Sequence, residues 1–385
     1  MVWSLMPFFM MISKSLTDLL IVLIALSFVI YSFLKSSWGW TNINWIILAI
    51  LFVLISCISA CFSSLVSISF SNGFAWLRFP LFAAAISIWL IKDKEFFYFA
   101  IFANFISIIF IFLLMGLETA FTDHNSFEWP FRNPLNGPFI HKIGILFFCI
   151  SFLMVVFKLK YRTLALIFIS ISIIFSLLSG HRAGSFSFVI IILLLIFWPS
   201  FKLKRSLFII SFFLFVLFLF SSLNFEKLDR YFFDIINLSN TSLLQYYGQW
   251  KTGIVVFFDN PIIGIGPTNV QNYLSENLII NYDPFKNNEH PHNHYIQAFA
   301  ETGIIGGIIY ILMFLNIIII SYKNTKIENK LIESLITKGI FLTSICIFWP
   351  FANNYDLYGQ QQNAYLWYVI SIILVSHQLN KKSSV

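Results

Sequence analysis

The sequence predicts an all-α integral membrane protein: a polytopic bundle of about eleven or twelve transmembrane helices with one large external loop subdomain. Three observations carry that expectation. Hydrophobic residues make up 59% of the 385-residue chain and charged residues only 11%, more apolar surface than a soluble core hides. Apolar runs recur near the ~20 residues that cross a bilayer. The charges sit in short loops between those runs, so a net charge of +7 does not point to nucleic acid.

The runs fall at roughly 19–34, 44–66, 79–91, 96–116, 143–157, 163–180, 185–200, 206–222, 303–321, 336–350 and 365–377, several of them short of the ~20-residue ideal. Met1 to Ile12 supplies one more short span. It lacks a basic n-region and a small-residue cleavage site, so it is expected to be retained rather than removed as a signal. The chain divides accordingly into N-terminal transmembrane helices over 1–222, an external loop subdomain over 223–302 and C-terminal transmembrane helices over 303–385.

Orientation follows from Lys and Arg. With the long polar segment outside, Lys35, Lys92, Lys94, Lys158, Lys160, Arg162, Lys202, Lys204, Arg205, Lys323, Lys326, Lys330, Lys338, Lys381 and Lys382 all fall on the cytoplasmic side, fifteen of the 24 basic residues. Every cytoplasmic loop then carries at least one. Arg78, Arg132, Lys142 and Arg182 break the pattern, in short external loops or at their edges. An anionic ligand on that side is one reason to keep them there.

Inside the external segment, a helix is expected from Thr241 or Ser242, a suitable N-cap, to Phe258, closed by Asp259-Asn260-Pro261. A turn-rich stretch follows at Gly264-Ile265-Gly266-Pro267, and 281–288 reads as loop. A second helix begins near Pro291 and runs into the span after Gly303. Cys57, Cys61, Cys149 and Cys346 all lie in apolar runs. Cys57 and Cys61 are one helical turn apart with no His or acid beside them, which argues against a metal site.

The densest chemistry lies in Glu289-His290-Pro291-His292-Asn293-His294-Tyr295, at the entrance to a hydrophobic helix. A lone interfacial histidine is most often solvated and inert. Here three stand within five residues at a helix start, where the positive dipole end favours a neutral, basic ring able to take a proton from a hydroxyl. Zinc is the rival use of such a cluster. His290 and His294 have the spacing i, i+4, but Pro291 lies between them, so no metal is expected. Arg182, in Ser179-Gly180-His181-Arg182-Ala183-Gly184, is either an interfacial anchor or a two-pronged phosphate clamp. Arg78, at the outer end of another run, admits the same two readings. Arg230 and Lys251 have an equal claim as plain surface charges. No carboxylate pair has a glycosidase-like arrangement, and Glu301, nine residues after His292, is too far along to share its helical face. No Gly-rich nucleotide loop is present, and the site faces away from cytoplasmic nucleotides. A lipid-linked diphosphate fits such an external transferase.

Three stretches resemble the bacterial O-antigen ligase and polymerase superfamily. His292-Asn293, nine residues and then Gly303-Ile304-Ile305-Gly306 resembles its His-Asn…Gly-x-x-Gly signature, with Tyr295, Gln297 and Ala300-Glu301-Thr302 flanking it in the family's form. Asn260-Pro261-Ile262-Ile263-Gly264-Ile265-Gly266-Pro267 resembles its Pro-x-x-Gly-x-Gly segment. Ser179 to Gly184 resembles its Ser-x-Arg-Gly/Ala hairpin. One feature departs from the family: the Arg that often precedes the Trp of the loop helix is missing before Trp250, so that either Lys251 or Arg230 substitutes or that phosphate contact is absent.

The resemblance implies a multi-pass protein of the bacterial inner membrane with its site in the periplasm. It implies a metal-independent, cofactor-free glycosyltransferase that uses an undecaprenyl-diphosphate-linked glycan. Arg182, Arg78 and Arg230 would hold the diphosphate, and His292 would orient or deprotonate the acceptor hydroxyl. Ligation to lipid A-core is the expected reaction, to which Gly137-Pro138-Phe139-Ile140-His141-Lys142-Ile143-Gly144 adds by resembling a loop-to-helix entry seen among ligases. Polymerisation and protein O-glycosylation share the donor. A transporter without chemistry would need ionisable residues in mid-membrane, and the apolar runs carry few.

Overall fold

A computed structural model describes residues 2–121, 128–131, 135–157, 159–179, 241–276, 290–327, 330–350 and 356–383, with positions 187, 188, 190, 191 and 193. All regular structure among them is helical. In chain order the helices are α1 (Met6–Ile12), α2 (Lys14–Leu34), α3 (Asn44–Ala60), α4 (Val66–Ala75), α5 (Arg78–Ala84), α6 (Lys94–Phe121), α7 (Asn136–Phe139), α8 (Ile145–Val156), α9 (Arg162–Leu178), α10 (Thr241–Asp259), α11 (Val270–Glu276), α12 (His294–Asn324), α13 (Leu331–Ile347) and α14 (Gln360–Ser383).

Among the described residues, five helical stretches are long and apolar enough to cross a membrane: Lys14–Leu34, Val66–Leu90, Lys94–Phe121, Asn136–Val156 and His294–Asn324. Trp3–Ile12, Asn44–Ala60 and Arg162–Leu178 are shorter apolar helices. The fold is therefore an all-α, multi-pass membrane architecture. The runs expected at 185–200 and 206–222 lie almost wholly outside the described residues.

Two boundaries differ from the sequence reading: in each, a basic side chain lies within a helical stretch rather than at its end. The run expected at 79–91 belongs to a longer helical stretch, Val66–Leu90. Arg78 sits at the centre of that stretch, not at its outer end. Its Nε donates to Asp18 Oδ1 at 2.8 Å and its Nη1 to the Ala75 carbonyl at 2.6 Å. The run expected at 143–157 likewise begins at Asn136, through a π-helical turn at Ile140–Gly144. Lys142 is consequently buried inside a helix, not placed at a loop edge. Asp18, Arg78, Lys142 and Glu301 all fall within candidate spans, so the spans hold more charge than the apolar runs suggested.

The chain separates into two compact units. One comprises Met1–Ser13, Asp93–Asn237 and Ser321–Ala352. In it α8 packs between α9 and α13, with aromatic contacts such as Phe105–Phe147 and Phe112–Phe175, whose centroids lie 5.4 and 5.0 Å apart. Lys94 pairs with Glu333 at 3.0 Å. The other unit comprises Lys14–Lys92, Leu238–Ile320 and Asn353–Val385. There α14 packs on α2 and α5, and α3 on α4. Trp76 is its aromatic centre, edge-on to Phe52 and Trp367 at 5.1 and 5.4 Å. Its indole N–H donates to Asn363 Oδ1 at 3.2 Å, which satisfies a polar atom that burial would otherwise strand.

Candidate active site

The second unit holds the histidine cluster, which is seated on α10. The helix spans Thr241–Asp259, as the sequence predicted to within a residue. It packs with α11 and the start of α12 over a small core of Val256, Ile265, Val270, Leu274 and Ala300. Gly253 lets α10 come close to the histidine segment. A Cβ there would stand 2.7 Å from Pro291 Cγ and 2.6 Å from Ile296 Cγ2, well inside van der Waals contact.

His292 has φ +49°, a left-handed conformation uncommon outside glycine and costing roughly 1–3 kcal/mol. The turn is held from its C-terminal side. Asn293 caps α12, its Oδ1 accepting from the backbone N–H of Tyr295 at 3.0 Å and of Ile296 at 3.2 Å, as an N-cap does. The Asn of the His-Asn pair thus starts the helix, while His292 stands just outside it. The His290 and His292 rings lie 4.1 Å apart, tilted by 37°. Burial, with His292 second, lowers the His290 pKa from the ordinary 6.5 to about 3, so that ring is neutral at physiological pH. His294 is buried, its Nδ1 at 3.3 Å from the Tyr310 hydroxyl.

Nine residues on, α12 breaks. Gly303 has φ +66° and ψ −170°, a region open essentially to glycine alone. The break redirects the backbone hydrogen bonds that a continuous helix would close. The N–H of Ile304 turns to the Pro261 carbonyl at 2.8 Å. The carbonyls of Ala300 and Glu301 accept instead from Ile265 N–H at 3.2 Å and Gly266 N–H at 2.9 Å, and Ser59 Oγ adds a bond to the Glu301 carbonyl at 2.6 Å. The Pro-x-x-Gly-x-Gly segment and the Gly-x-x-Gly signature are therefore two halves of one backbone lock. A Cβ at Gly303 would collide with the Ile262 carbonyl, and one at Gly264 with the Glu301 and Thr302 backbone. The far side of the lock rests on the α3–α4 hairpin: Ser69 Oγ donates to the Pro267 carbonyl at 2.8 Å, and Asn72 Nδ2 to Thr268 Oγ1 at 2.8 Å.

Sequence reasoning set Glu301 aside, yet it is a junction of this lock. Its fully buried side chain accepts from the Thr268 backbone N–H and from Gln297 Nε2 at 3.2 Å. Gln297 Nε2 also donates to Asp356 Oδ1 at 2.7 Å, and its Oε1 accepts from Leu357 N–H at 2.8 Å. One amide thus ties the turn after His292 to the loop before α14. Tyr358 bonds Ser56 Oγ at 3.1 Å. Burial, then the Glu301 and Asp356 carboxylates, push its hydroxyl well above the usual range, so it stays neutral. Spacing hinted at this network only through Gln297 and Glu301, which are one helical turn apart.

Arg78 is half-buried in its ion pair with Asp18, and its guanidinium also lies 4.4 Å from the Phe79 ring. Lys251 is exposed on α10. Arg182 and its hairpin, Arg230, Arg132, Asp283 and Glu289 lie outside the described residues. The arrangement presents a histidine ring at the N-terminal end of a helix whose backbone is locked at Gly303. Residues 167–311 match the family model described as O-Antigen ligase, a stretch that contains α10, both halves of the lock and His292. No curated protein matches the chain.

Proposed function

We propose, from the chain's membership of the O-antigen ligase and polymerase superfamily through residues 167–311, that it is an O-antigen ligase. It would transfer a polysaccharide from undecaprenyl diphosphate to lipid A-core, on the periplasmic side of the bacterial inner membrane. The observation that carries the reading is His292. A titratable side chain is held in a strained left-handed turn by the Asn293 cap, on a helix end fixed by the Gly303–Pro261 lock. Strain of this kind persists where surrounding structure enforces it, and it gathers at functional sites.

In this reading His292 accepts the proton of an acceptor hydroxyl as the oxygen attacks the anomeric carbon. The bond from that carbon to the diphosphate breaks, with inversion, and the diphosphate leaves as an anion. Arg182, Arg78 and Arg230 would stabilise the charge that builds on it. General-base help of this kind is worth roughly 10²–10⁴-fold. A neutralised diphosphate is a good leaving group, so no acid residue is required.

The test is His292→Ala in the host, with lipopolysaccharide resolved on a gel. Loss of the whole ladder, with long lipid-linked polymer accumulating, is expected for a ligase. Core carrying a single repeat would mark a polymerase instead, and an unchanged ladder would sink the role given to His292. Arg182→Lys tests the clamp separately. Transfer is expected to fall by at least tenfold, because an ammonium cannot make the two-pronged contact; full activity would remove Arg182 from the donor site.

A further inference from the structure

The reaction above employs one histidine of three, and the other two are placed differently. His294 lies within α12 beside the Tyr310 hydroxyl. His290 precedes the turn, and the residue keeps some exposure. Its ring packs against that of His292, centroid to centroid at 4.1 Å. Pro291 joins the two residues and is wedged against α10 at Gly253, so the pair is held as a unit. The Nε2 of His290 is buried and meets no hydrogen-bond partner among the described residues. Buried polar atoms are nearly always paired, and an unpaired one calls for an explanation, of which a role in the chemistry beside it is one.

The chemistry of the ring narrows what that atom is. Burial keeps it neutral, so it offers one hydrogen bond and no charge. A diphosphate recruits guanidinium and ammonium groups. A sugar hydroxyl donates or accepts equally well and matches a neutral imidazole nitrogen. Resting on the glycosyl-transfer reading, we propose that His290 binds the acceptor: its Nε2 hydrogen-bonds a hydroxyl of the acceptor glycan, adjacent to the hydroxyl that His292 deprotonates. His292 then acts on an oxygen that its neighbour has oriented.

The experiment uses the purified full chain in detergent, with core lipopolysaccharide as the probe. Binding is titrated for the parent chain, His290→Ala and His290→Gln. Glutamine places an amide near the position of Nε2, so it retains a hydrogen bond. The Kd is expected to rise roughly tenfold in His290→Ala and to stay within about threefold in His290→Gln. In turnover with the lipid-linked donor, the acceptor KM follows the same order and the donor KM is unmoved. Equal binding by the parent chain and His290→Ala overturns the proposal. So does a loss in His290→Gln as large as in His290→Ala, which would mark a packing role. If the parent chain does not bind core at all, the ligase reading fails; the same comparison is then made with the lipid-linked repeat, and absence of binding there removes this proposal as well.

Discussion

Three neighbouring residues divide the labour that the sequence left crowded into one cluster. His292 takes the strained turn, Asn293 starts the helix and His290 is a neutral ring stacked beside the first. Spacing to Gly303 singled out His292, but it could not reveal that Asn293 is a cap, because capping depends on where the helix begins. The burial of His290 has a measurable thermodynamic consequence. Its folded-state pKa of about 3 lies below the ordinary 6.5, so between those values the unfolded chain binds a proton that the folded chain does not. Stability is then full above about pH 6.5 and lost progressively as pH falls toward 3. Thermal midpoints of the detergent-solubilised chain are expected to fall through that window, and less steeply in His290→Gln. Parallel curves for the two would show that His290 is not buried neutral.

At the level of elements, the decisive feature is the break in α12. Hydrophobic periodicity read a helix entering the membrane after Gly303, and that was legible. What Gly303 does was not, because its role is set by a segment forty residues upstream. Ile262 occupies the space a side chain would need, and the backbone bonds of residues 300–304 go to 261–266. Gly303→Ala is expected to destabilise the chain by roughly 1–3 kcal/mol from backbone strain alone, and to abolish transfer because the helix carrying Asn293 shifts. Thermal denaturation in detergent together with the lipopolysaccharide ladder checks both. A fully active, equally stable variant would mean that the lock does not hold the site. The Gln297 bridge was equally hidden, since its partner Asp356 is 59 residues away.

For the whole molecule, composition alone fixed the class: the helices are apolar and of spanning length. Charge placement gave an orientation, which rests on counting Lys and Arg across loops. Buried cations blurred that count. Arg78 and Lys142 looked like exceptions at loop edges, whereas each stands inside a helix, where Arg78 has a carboxylate partner. The residues expected to clamp a diphosphate come from separate stretches of chain, so spacing could nominate them but not assemble them. Sidedness is directly testable in a background with the four native cysteines replaced. Lys251→Cys, exposed on α10, is expected to react with a membrane-impermeant maleimide in intact spheroplasts. Lys326→Cys, also exposed, is expected to react only after permeabilisation. The reverse pattern would place the histidine cluster in the cytoplasm.

The reciprocal pairing of 261–266 with 300–304 also bears on how such proteins can be recombined. A chimera that imports only the histidine-bearing stretch from a relative would bring carbonyls whose donors belong to another backbone, and glycines shaped to a carbonyl that is no longer there. Transplanting residues 241 to 306 as one cassette keeps both halves of the clasp, along with the helix that seats Pro291. The natural seams for exchanging segments between relatives therefore lie outside that block, however attractive the shorter graft looks in an alignment.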